Sequence, residues 1–184
     1  MSFRFDPTEI PDVVLVTATR HGDARGFFSE TYRRSAFVEA GIDAVFVQDN
    51  VARSGGGVLR GLHYQAPPRP QGKLVRVVEG AIFDVAVDLR AASPTFGRWV
   101  GRELRATEGT MLWVPEGFAH GYVVLGESAE VAYKTTAEWD PALDRALRWN
   151  DPDVGVAWPE AHPVLSERDR AAPLLADLGA PFGA

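Results

Sequence analysis

The 184-residue chain has no cysteine, only four histidines, two methionines and two lysines, and no long apolar run. Without cysteine, disulfides and thiolate metal sites are excluded, and cytoplasmic residence is the expectation. No apolar stretch approaches the ~18 residues a membrane helix needs. The opening MSFRFDPTEIPD lacks the basic-then-apolar layout of a secretory signal. Neither a membrane nor a secreted location is therefore expected. A net charge of −6 argues against broad nucleic-acid binding, which depends on many Lys and Arg contacts to phosphates. It leaves room for one small anionic ligand, provided the cations that hold it are gathered locally. There is no glycine fingerprint for a dinucleotide, no Walker loop and no internal repeat of fixed period.

What the chain does contain is many short β-branched and aromatic runs between Gly and Pro turns, at 12–19, 26–32, 73–80, 81–89, 109–117 and 121–126. Close-spaced strands with turn signals predict an all-β sandwich or barrel of antiparallel strands and not alternating βα units. Glu79-Gly80, between two such runs, reads as a tight hairpin turn. Helix signals are few. Residues 35–40 can form one short helix, and Ser166 before Glu-Arg-Asp-Arg is an N-cap with acids in its first turn. The whole of 1–184 reads as one domain, with a peripheral tail from about 171 that wraps the surface or frays.

Two of the histidines lie in apolar, Gly-punctuated strands. His63 ends Gly57-Val-Leu-Arg-Gly-Leu-His, and His120 follows Gly109, Pro115 and Gly117. The offsets of these residues resemble the two cupin patterns, so the fold resembles a cupin jelly roll. A metal-binding cupin places His-x-His on the first strand with a Glu after it. Here the second position is Gln65, and no carboxylate follows until Glu79. A site with no metal and no cofactor is expected, whose side chains must supply acid–base chemistry themselves. His63 suits a general base, because an unperturbed imidazole titrates near neutrality. Such a base needs a carboxylate to set its tautomer, and local sequence offers none. The bland alternative for His63 is a core histidine satisfied by backbone. Of the 19 basic residues only Lys73 and Lys134 are not arginine, so each is a candidate for a position that needs a compact ammonium.

The string Gly57-Val-Leu-Arg-Gly-Leu-His-Tyr-Gln65 and the run Lys73-Leu-Val-Arg-Val-Val-Glu-Gly-Ala-Ile-Phe-Asp84 resemble the dTDP-4-dehydrorhamnose 3,5-epimerase family. So do Asp23-Ala-Arg-Gly-Phe-Phe-Ser-Glu30, Gln48-Asp-Asn50, Pro115-Glu-Gly-Phe-Ala-His-Gly121, Tyr133-Lys-Thr-Thr136, Trp149-Asn-Asp-Pro152 and Leu165-Ser-Glu-Arg-Asp169. They run from about residue 12 to 175 in the family's order. The resemblance implies that His63 is the base, Asp169 its orienting carboxylate and Tyr133 the proton donor on the opposite face of the sugar. It implies that Lys73 stabilises charge on the C4 oxygen, with His120 lining the same pocket. Arg25, Glu30, Gln48, Asn50 and Arg60 match positions that hold the dTDP portion or shape its pocket, and Arg168 stands where the family often has Lys. The segment 25–30 would reach a neighbouring subunit, which implies a homodimer.

Strand geometry adds expectations of its own. A two-residue turn at Glu79-Gly80 would place Asp84 diagonal to Lys73, where it could hold the ammonium charged. Strict alternation puts Arg60 and His63 on opposite faces, so both reach one pocket only if Gly61 sits at a bulge or bend. Lys134, next to Tyr133, should face solvent. Trp139 and Asp144 depart from the family's usual residues and bear on substrate recognition. The competing readings are a monofunctional 3- or 5-epimerase, a non-catalytic cupin that binds a nucleotide sugar, and a metal-dependent cupin.

Overall fold

The computed structural model describes residues 2–183. The strands are β1 (Phe3–Pro7), β2 (Val14–Ala18), β3 (Arg20–Asp23), β4 (Gly26–Ser29), β5 (Gln48–Gly55), β6 (Leu59–Gln65), β7 (Lys73–Asp88), β8 (Trp99–Arg105), β9 (Thr110–Val114), β10 (Phe118–Thr135) and β11 (Asp144–Ala146). Nine of them make one antiparallel sheet, ordered β1-β2-β9-β7-β10-β6-β11, with β8 also on β7 and β5 also on β10. β3 and β4 form a separate ribbon. The result is the all-β jelly roll that the Gly, Pro and His spacing implies.

Glu79-Gly80 is not a hairpin turn. Residues 73–88 form one strand of 16 residues that pairs with β10 along both of its halves. Its first half also pairs with β9 and its second with β8, so the strand passes from one layer to the other. The corner falls at Gly80, whose φ is +79° and where an added Cβ would lie 2.1 Å from the Ser128 carbonyl oxygen. Opposite it, β10 shifts register between Leu125 and Glu130. Glu-Gly reads locally as a turn because glycine supplies the positive φ. The long partner strand makes it a bend within a continuous strand that exchanges β9 for β8 as its second neighbour.

The alternating inward residues of β7, β9 and β10 fill the interior: Val75, Val77, Ile82, Leu112, Phe118, Val124 and Val131 are all buried. A second apolar cluster forms under α1 (Arg34–Glu39), where Phe37 packs edge-on against Phe3, Phe5 and Tyr32. The C-terminal segment lies against the body of the roll. Leu175, Leu178 and Phe182 pack on the cluster around Leu62, Val85 and Leu147. Arg148 donates both its backbone N–H and its Nε to the Pro173 and Ala172 carbonyls. This wrapping carries α2 (Glu167–Arg170) to the side of β6. Ser166 caps the helix, its Oγ accepting the Asp169 N–H at 3.1 Å.

Candidate active site

A cavity of about 470 Å³ opens within the roll, and strands far apart in sequence line it. β6 contributes Arg60 and His63, β7 Lys73, β10 His120 and Tyr133, β5 Gln48 and Asn50, and β11 Asp144. Arg60 and His63 do share it, and the reason is the bend that alternation demands. Gly61 has φ +135°, its added Cβ would sit 2.5 Å from the Gly121 Cα, and the β6–β10 register shifts between His120 and Tyr122. Two glycines facing each other let the strands approach where a side chain on either would separate them.

His63 Nε2 and Asp169 Oδ1 are 2.6 Å apart. The carboxylate that local sequence could not provide arrives from α2, 106 residues later. Burial works to raise the Asp169 carboxyl. The hydrogen bond and charge of His63, with Ser166 and the Gly61 N–H, outweigh that and hold it below its ordinary value. Asp169 is 4% exposed, His63 32%, so the pair has its carboxylate inside and its imidazole open to the cavity.

Asp84 does not serve Lys73. Its Oδ1 lies 2.7 Å from His120 Nε2, and the charge that acts on Lys73 is that of Asp144. The diagonal that matters therefore runs across the β7–β10 ladder, where Ala86 faces His120 and Asp84 faces Tyr122. Lys73 is buried, and burial pulls its ammonium down to about 8 against the opposing pull of Asp144. Charged Lys73 is thus the majority form below about pH 8 and is lost above it. If the ammonium supports turnover, kcat/KM falls by about tenfold per pH unit above that point. A pH–rate profile of the wild type, compared with that of Lys73→Met lacking this limb, checks the assignment.

Asp144 accepts from Arg168 Nη1 at 2.8 Å and from Trp139 Nε1 at 3.1 Å. Burial pushes its carboxyl up, but these two donors and the charges of Arg168 and His63 bring it below the usual range. Trp139 is 57% exposed at the mouth, and its backbone N–H donates to Gln48 Oε1. Gln48 Nε2 donates in turn to Asn50 Oδ1, and Arg60 Nε to Ser54 Oγ. Burial raises the Tyr133 phenol, while Arg60 opposes this. Lys134 lies on the other face, paired with Asp49 at 2.9 Å.

Arg25 and Glu30 do not line this cavity. Arg25 pairs with Asp23 on the β3–β4 ribbon, and Glu30 lies 3.5 Å from Arg33. Sequence reading missed Tyr122, Gln71, Ala52 and Tyr64, all of which line it. Alternation from His120, Lys73 and Asn50 points to the first three; Tyr64, next to His63 on β6, falls on the opposite face by alternation and has no such signal. Among the described residues no group of three or more His, Asp or Glu is placed to hold a metal ion, and no helix is long and apolar enough to cross a membrane.

Comparison with known proteins gives the same outline. The sequence matches the family described as dTDP-4-dehydrorhamnose 3,5-epimerase over residues 7–177. It is 55% identical over 170 residues to the dTDP-4-dehydrorhamnose 3,5-epimerase of Pseudomonas aeruginosa, covering 91% of this chain and 93% of that one. It is 37% identical to a dTDP-4-dehydrorhamnose 3-epimerase of Streptomyces niveus, covering 95% and 84%. The structure superposes with a TM-score of 0.94 on the dTDP-6-deoxy-D-glucose-3,5-epimerase of Legionella pneumophila in complex with dTDP-4-keto-L-rhamnose, at 43% identity and covering 98% and 96%.

Proposed function

The chain belongs to the dTDP-4-dehydrorhamnose 3,5-epimerase family, and from that premise we propose that it inverts C3 and C5 of dTDP-4-dehydro-6-deoxy-D-glucose to give dTDP-4-dehydro-L-rhamnose. The observation that carries this reading is the His63–Asp169 hydrogen bond at 2.6 Å in a cavity that Tyr133 and Lys73 also line.

Asp169, kept ionised, accepts the Nε2 proton of His63 and leaves Nδ1 with its lone pair for the substrate. That nitrogen takes the proton from the carbon beside the ketone, and the bonding pair moves onto the C4 oxygen as an enolate. The Lys73 ammonium lies nearby to stabilise that oxygen, an effect worth about 10²–10³ in rate for one positioned donor. Tyr133 then gives its phenolic proton to the carbon from the opposite face. Solvent takes the extra proton from His63 and restores that of Tyr133, so the reaction consumes and releases nothing. Gln48, Asn50, Arg60, Asp144, Arg168 and Trp139 fit the role of holding the nucleotide and sugar, and His120 lines the site. Neither metal nor cofactor is needed in this scheme.

Arg25 and Glu30, outside the cavity of their own chain, fit a homodimer in which the β3–β4 ribbon completes the partner's site. Phe28, 73% exposed at the ribbon, and Val51, 67% exposed on β5, are apolar surface such a partner would cover. A monomeric mass in solution would overturn that part. The enzyme is proposed to act as one domain, in the cytoplasm, on a small-molecule substrate without nucleic acid or membrane.

Turnover in deuterated water, coupled to a reductase that consumes the product, tests the reaction. Two deuterons, at C3 and C5, are expected. A deuteron at one carbon alone would make the protein a monofunctional epimerase, as the name of the Streptomyces relative describes. Binding without turnover would leave only a nucleotide-sugar binder.

A further inference from the structure

The cavity holds a second histidine–aspartate pair that the scheme above leaves idle. His120 and His63 are Cα partners across β10 and β6, and each bonds a carboxylate through Nε2, at 2.7 and 2.6 Å. The two carboxylates live in different surroundings. Asp169 is supported by Ser166 and the Gly61 N–H in addition to His63. Asp84 is fully buried, and among the described residues its second oxygen, Oδ2, has no hydrogen-bond partner.

We propose that Asp84 is a positioning residue that keeps His120 as a hydrogen-bond donor to the substrate's C4 oxygen, so that the cavity contains two histidine–aspartate pairs of opposite polarity. The His63–Asp169 pair accepts a proton, and the His120–Asp84 pair offers a hydrogen bond. This rests on the epimerase reading for its substrate, although the polarity itself does not.

The argument is a count of protons. Such a pair carries either one or two. With one, the carboxylate is charged, Nε2 holds the proton, Nδ1 is a lone pair and the pair is net negative. With two, the pair is net neutral wherever the shared proton sits along the Oδ1–Nε2 bond, and Nδ1 bears N–H in either arrangement. A bare negative pair is tolerated where other donors solvate the carboxylate and opposed where none does. Burial pushes the Asp84 carboxyl up, and among the described residues only the charge and hydrogen bond of His120 act against this. Among the described residues, the cavity's other groups that can carry positive charge, Arg60, His63, Lys73 and Arg168, contribute no opposing pull on Asp84. The buried pair is therefore the neutral one, and its Nδ1 is a donor. Environments that drive two like pairs apart in this way sort them into acid and base roles.

Long-range proton–nitrogen correlation spectra of the ligand-free wild type read the polarity directly. At neutral pH the Nδ1 of His120 is expected at a protonated shift and that of His63 at an unprotonated one, with His120→Asn assigning the signals by their loss. Asp84→Ala should move His120 Nδ1 towards the unprotonated shift, because a neutral imidazole with no carboxyl partner at Nε2 holds its one proton there by intrinsic preference, whereas an asparagine amide could donate to Nε2 and keep Nδ1 protonated. It should also lower kcat and solvent-deuterium entry into substrate together by about 10²-fold, with dTDP affinity within about threefold of wild type. In a His120→Asn background the same change should add less than about twofold, since a residue that acts through His120 has nothing left to act on. An unprotonated His120 Nδ1 in the wild type, an Asp84→Ala enzyme with normal kcat, or additive effects of the two changes would overturn the proposal. If Asp84→Ala does not fold, the wild-type spectrum still decides. A wild type with the expected spectrum but no epimerase activity would count against the reaction and leave the polarity standing.

Discussion

His63→Asn is expected to lower kcat by about 10³-fold or more while dTDP binds with near wild-type affinity. Asparagine is the informative replacement because its amide can still donate to Asp169. Alanine would leave that nearly inaccessible carboxylate without its partner, at a cost of about 1–3 kcal/mol in stability, and would confuse loss of fold with loss of base. The asparagine amide has no lone pair on nitrogen to accept a proton from carbon, so the chemical step fails and the binding determinants on β5 and β11 remain. Single-turnover kinetics with calorimetry of dTDP binding checks both halves. A kcat within tenfold of wild type would remove His63 from the role of base.

Tyr133→Phe should separate the two proton steps. The base is intact, so the enolate still forms, and His63, about one-third exposed, trades its captured proton with solvent and returns a deuteron to the same face. Recovered substrate should then lose its C–H signal in deuterated water while inverted product falls by about 10²–10⁴-fold. Parallel loss of exchange and product would mean that the phenol acts before the enolate, and normal product formation would assign the acid elsewhere. The half-buried phenol is held in its protonated form, since burial raises it, which is the state a proton donor needs.

Much of the site is legible in the sequence, because its residues lie on strands and strands alternate. From Lys73 the pattern reaches Gln71, and from His120 it reaches Tyr122. The bend at Gly61 is legible as well, since two residues three apart cannot share a face of a flat strand. The hairpin at Glu79-Gly80 fails for a related reason. A glycine with positive φ serves equally in a tight turn and in a strand crossing between layers, and only the length of β10 on the other side distinguishes them. The pairing of Asp84 with Lys73 depends on that turn. With the turn gone, Asp84 belongs to His120.

The sequence alone determined the fold class, the order of the motifs and the family, because patterning and spacing are properties of neighbours along the chain. Which carboxylate serves which cation or imidazole was decided only by tertiary structure. Asp169 meets His63 because the chain wraps back and a serine caps α2 beside β6, and Asp84 meets His120 because two long strands pair across the roll. The state of each group follows from how many donors surround it in the folded interior, and burial in three dimensions has no linear signature.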